Sequence, residues 1–128
     1  MTLQKIETAE IYRRLDPTRS QDDCAARIAC FCQKWGITEL ALFGSVLRDD
    51  FRLEGENPSD IDLLYTKPPE VRYGFKVFDM QVELQQLLNR KVDLVSKRSI
   101  QNSQNPLRRR TILDSAQVIY AGGSASHF

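Results

Sequence analysis

The chain has 128 residues, 41% of them hydrophobic and 27% charged, which suits one compact domain and excludes a disordered or fibrous chain. Its 18 basic and 17 acidic residues leave a net charge of +1. That balance excludes the broad basic surface of a non-specific nucleic-acid binder, so no direct DNA binding is expected. No apolar run reaches the roughly 18 residues of a membrane span, and residues 1–10 lack the apolar centre of a signal peptide; a cytoplasmic location is expected.

In chain order, Leu3, Ile6, Ile11 and Leu15 have a partial helical spacing that Asp16-Pro17 stops. Residues 20–35 have a full one: Cys24, Ile28, Phe31, Cys32 and Trp35 form a single stripe, Ser20 or Asp22 can cap the start, and Gly36 suits the left-handed end. The three cysteines in this helix, Cys24, Cys30 and Cys32, are expected to be buried thiols, since 24 and 32 would lie about 12 Å apart. Glu39 to Phe43 is a short apolar strand, and residues 46–50 can form a short helix. Residues 51–59 are rich in turn formers.

A second strand covers residues 60–65 and ends at Lys67-Pro68-Pro69. A helix from about residue 75 to 89 buries Val77, Met80, Leu84, Leu87 and Leu88. Residues 91–95 form the third strand, 96–105 an irregular polar stretch, 106–116 a helix opened by Pro106, and 117–120 a last strand. We expect one domain over residues 1–121, with a helical N-terminal extension over 1–36 and a flexible tail over 122–128.

The chemistry concentrates in acids embedded in strands. Asp60 and Asp62 are two apart on a strand and project to the same face, while Ile61 and Leu63 face the packed side. Asp93 occupies a similar apolar run, Val92-Asp93-Leu94-Val95. Three converging carboxylates repel one another unless a cation relieves them, and hard oxygen ligands suit magnesium. Gly44 lets a phosphate approach the backbone, and Ser45 offers a hydroxyl and opens the following turn. Arg48 could meet a phosphate bidentately or pair with Asp49, Asp50 or Glu54. The single histidine, His127, stands in the terminal Gly/Ser stretch, which argues against His-based nucleophilic catalysis and the usual zinc sites. Arg108-Arg109-Arg110 spans about 200° of a helix and reads as a solvated face.

Together, Gly44-Ser45, Arg48, Ser59-Asp60-Ile61-Asp62-Leu63-Leu64 and Val92-Asp93-Leu94-Val95 resemble the minimal nucleotidyltransferases of the DNA polymerase β-like superfamily, over roughly residues 37–120. The resemblance implies an α+β fold, a mixed sheet of about four strands with helices packed on one side. It implies two Mg²⁺ ions and ATP as substrate. Gly44 and Ser45 would hold the terminal phosphates, Asp60 and Asp62 would bind both metals, and Asp93 would hold the catalytic metal and accept the proton of the attacking hydroxyl. Many such proteins are antitoxins that attach AMP to a tyrosine of a HEPN-domain RNase toxin, and that is the partner implied here. Fourteen residues separate Ser45 from Asp60, more than is usual in the family, and Asp49 replaces the usual Gly after the Arg. Two other functions stay open: neutralising the partner by masking a surface without catalysis, and nucleotidyl transfer to a small molecule.

Overall fold

The computed structural model describes residues 7–47 and 60–122. Five helices are α1 (Thr8–Leu15), α2 (Gln21–Trp35), α3 (Lys76–Leu88), α4 (Lys97–Gln101) and α5 (Pro106–Ser115). Four strands are β1 (Glu39–Phe43), β2 (Ile61–Thr66), β3 (Val92–Ser96) and β4 (Gln117–Ala121), and a 3-10 turn covers Gly44–Leu47. The strands form one mixed sheet in the order β3-β2-β1-β4. β1 runs antiparallel to both β2 and β4, whereas β2 and β3 run parallel, joined by the crossover through α3.

Local chemistry sets the element ends. Ser20 caps α2 by accepting from the Asp23 amide at 3.1 Å, and Gly36 closes it in the left-handed conformation at φ 72°. Asn89, at φ 53°, ends α3 in the same way. Asn105 caps α5 and Pro106 occupies its first turn.

The main core lies between α1, α2 and α3 and one face of the sheet. Ile11, Leu15, Ile28, Phe31, Met80 and Leu84 meet Leu40, Leu42, Ile61 and Leu63 there. Cys24 and Cys32 belong to this core, and burial pushes their thiols up to about 11 and about 12. Cys30 departs from the expectation of three buried thiols: it lies off the apolar stripe and is exposed.

Two features differ from the sequence reading. The expected single helical layer is the larger of two, because α4 and α5 cover part of the opposite face through Ala41, Phe43, Leu64, Ile100 and Ile112. The stretch expected to be irregular contains α4, held by Ile100, its one buried residue. At the other end of the chain, the Gly122 amide donates to the Thr38 carbonyl at 2.9 Å, prolonging β4's attachment by one residue. Residues 123–128, the rest of the expected tail, lie outside the described residues, as does the 51–59 stretch.

Candidate active site

Pairing across the sheet brings two of the three predicted acids, Asp62 and Asp93, side by side. In the parallel β2–β3 ladder Asp62 is the register partner of Asp93, and across the antiparallel ladder Asp62 is the partner of Phe43. Register partners in adjacent strands point to the same face. Asp62 is half-exposed and Asp93 exposed, while their neighbours Ile61, Leu63, Val92 and Leu94 are buried on the opposite side. Asp60 is exposed and immediately precedes β2, where the Ile61 amide donates to the Lys91 carbonyl at 3.0 Å and starts the pairing with β3. Arg90 stands beside Asp60: burial lowers the guanidinium's pKa, and the Asp60 carboxylate opposes that shift.

Gly44 sits where β1 ends, against Asp62. Its φ is +77°, and a Cβ there would collide with Asp62 Oδ2 and meet Asp62 Cγ at 3.3 Å. Glycine is therefore required twice over, by conformation and by the carboxylate against it. Ser45 follows within the 3-10 turn, but its side chain, and all of Arg48, lie outside what the structure describes.

The carboxylates suit a hard divalent cation: oxygen donors from adjacent strands, at a cradle that a side chain at 44 would fill. Among the described residues no three His, Cys, Asp or Glu side chains stand assembled around a common ion position. Sharing a strand end is thus a looser arrangement than a preformed three-acid cage. Asp62 and Asp93 are the pair that the sheet register sets side by side, with Asp60 just ahead of β2.

Three supporting side chains escaped the sequence reading. Arg14 of α1 donates through Nη1 to the Val46 carbonyl at 2.7 Å and through Nε to Glu10 at 2.8 Å, tying α1 to the Gly44–Leu47 turn. Gln81 and Gln85, one turn apart on α3, accept from the Leu94 and Val92 amides, each at 3.2 Å. They satisfy the outer edge of β3 and so fix the strand that carries Asp93. Glutamines on a half-buried helix face signal nothing by themselves, and only the docked edge shows their use.

Lys97 and Arg98 fall outside the acid site. They follow β3 at the far end of the sheet, where Lys97 pairs with Glu39 at 3.0 Å. Of the arginine run, Arg109 is partly buried and donates to the Ser103 carbonyl at 2.7 Å, and its two neighbours are exposed.

Known proteins share this fold. A structure described as that of a candidate minimal nucleotidyltransferase is similar at 28% identity, over 75% of this chain and 88% of that one, with a TM-score of 0.53. A toxin–antitoxin structure with AMP-PNP shares the fold at 17% identity, over 76% of this chain and 73% of that one, with a TM-score of 0.55. So does a complex of a tri-AMPylated Shewanella oneidensis HEPN toxin with an MNT antitoxin, at 16% identity, 78% and 71% coverage and a TM-score of 0.52. No curated protein matches the chain by sequence. The family profile for the nucleotidyltransferase domain matches residues 28–119, a span that includes Gly44-Ser45, Asp60, Asp62 and Asp93, and the chain belongs to that family.

Proposed function

We propose that this nucleotidyltransferase moves AMP from ATP to a hydroxyl of a partner protein, with Mg²⁺, and thereby acts as the antitoxin of a HEPN toxin. The observation that carries this reading is the register pairing of Asp62 with Asp93 beside Gly44, at one end of the sheet. The likeness to an MNT antitoxin bound to an AMPylated HEPN toxin supports the choice of partner. The likeness to a toxin–antitoxin structure with AMP-PNP supports an adenine nucleotide.

In this reading the Gly44-Ser45 turn receives the terminal phosphates, because only glycine lets them approach the backbone at that point. When bound, Mg²⁺ neutralises the triphosphate and polarises the attacking and leaving oxygens. Asp60 and Asp62 would hold the Mg²⁺ that offsets the triphosphate's charge. Asp93 takes the proton from the acceptor hydroxyl as that oxygen bonds to the α-phosphorus, and pyrophosphate departs with the electron pair of the broken bond. The partner's own surface supplies the acceptor side of the cleft.

The test is incubation of the protein with ATP labelled at the α-phosphate, Mg²⁺ and the product of the neighbouring gene. Label on the partner from the wild type, and none from Asp62→Ala, is the expected result. Full neutralisation of the toxin by Asp62→Ala would replace catalysis with surface masking, since masking uses no carboxylate. Label on an aminoglycoside-type small molecule and none on the protein would assign a different acceptor.

A further inference from the structure

A second polar pocket lies at the other end of the sheet. It measures about 370 Å³, and its lining includes Lys67, Lys97, Arg98, Gln101 and Asn102 together with Tyr65 and Pro69. Asp62 and Thr66, the latter in this lining, are four residue steps apart on β2, about 13 Å at the rise of an extended strand, so the pocket is separate from the acid site.

Its charge balance is one-sided. None of the lining residues is a carboxylate. Glu39 neutralises Lys97 at 3.0 Å. Glu70 follows Pro69 and is exposed. Lys67 and Arg98 have no ion-pair partner among the described residues. Two uncompensated cations of different geometry, with two side-chain amides beside them, match an anion with several acceptor oxygens better than they match one carboxylate. The volume exceeds that of a bare phosphate and lies within the range of small-molecule sites. Tyr65 and Pro69 offer a surface for the remainder of such a molecule.

We propose that this pocket binds a small phosphomonoester, anchored by Lys67 and Arg98, at a site distinct from the transfer centre. The inference does not depend on the proposed reaction, and its test omits both magnesium and any acceptor.

The experiment is a magnesium-free titration of the full chain with inorganic phosphate, AMP and, as a control, acetate, followed by amide chemical shifts. Phosphate and AMP at millimolar concentration should shift amides of residues 65–67 and 96–102, AMP more tightly, and acetate should not. The same shifts should persist in Asp62→Asn. The Lys67→Glu, Arg98→Glu double variant should bind AMP at least about tenfold more weakly, the loss expected for charge-assisted contacts. Tighter binding of AMP than of phosphate identifies a phosphomonoester; equal affinity would reduce the site to one for free phosphate and overturn the proposal. Shifts absent from these residues, equal shifts along Arg108–Arg110, or unchanged affinity in a double variant with a normal amide spectrum would also overturn it.

Discussion

The two faces of β2 differ in what they carry. Ile61, Leu63 and Tyr65 point into the core beneath α2 and α3, and Ile61 and Leu63 are no more than 1% exposed. On the alternate positions, Asp62 is half-exposed beside Gly44, whereas Leu64 is 1% exposed beneath α4 and α5. One six-residue strand therefore supplies a continuous apolar face and a face divided between chemistry and packing. Side-chain alternation lets the acids be placed by the core without being buried in it. Function should thus be separable from stability by substituting adjacent residues of the same strand.

The sharpest break is at position 62. Asp62→Asn should reduce label transfer by about a thousandfold or more, the scale of losing a charge partner of a transferring phosphoryl group. Its melting temperature should stay near wild type, because the residue is half-exposed. One position on, Leu63→Ala should do the reverse. It should cost about 2–5 kcal/mol of stability in denaturant unfolding, as buried large-to-small substitutions do, and leave the transfer rate of the folded fraction near normal.

Gly44→Ala tests the contact between the faces' ends. The left-handed conformation alone should cost about 1–2 kcal/mol, and the added methyl must displace the Asp62 carboxylate. Transfer should fall further than stability does, with weaker ATP binding in calorimetry. Equal losses would mean that the turn supports only the fold.

The smallest effect concerns the brace behind the turn. Glu10 bonds both Arg13 and Arg14, whose guanidinium groups hold its carboxyl down to about 2 from an ordinary 4.5. A carboxyl lowered on folding contributes stability fully above the unfolded value and loses it as pH falls toward the folded one. The contribution should be intact above pH 4.5 and disappear between there and about 2. Glu10→Gln should abolish that slope in a melting-temperature series, at a cost of a few tenths of a kcal/mol at neutral pH, as is usual for solvent-accessible pairs.

Much of this division shows in the residue order. The Asp-Ile-Asp-Leu alternation, the Ser20 cap, the Gly36 stop and the stripe of α2 are local signals, and the structure repeats them. What local signals cannot express is pairing. The parallel register that sets Asp62 against Asp93 joins residues 31 positions apart, and nothing within either strand encodes it. Lys97-Arg98-Ser99-Ile100-Gln101 carries a single buried apolar residue, too little for periodicity, so α4 emerges only from contact with Ala41, Phe43 and Leu64. The roles of Arg14, Gln81 and Gln85 depend on partners in distant strands and turns, and the same residues elsewhere would be solvated surface.

The most direct measurement is Mn²⁺ binding, followed by electron paramagnetic resonance, in the wild type, Asp62→Asn, Asp93→Asn and the double variant, with ATP present. The account predicts that either single substitution removes most of the protein-dependent binding and that the double variant loses little more, because the two carboxylates serve one site. Wild-type Mn²⁺ affinity in the Asp93→Asn protein would contradict it.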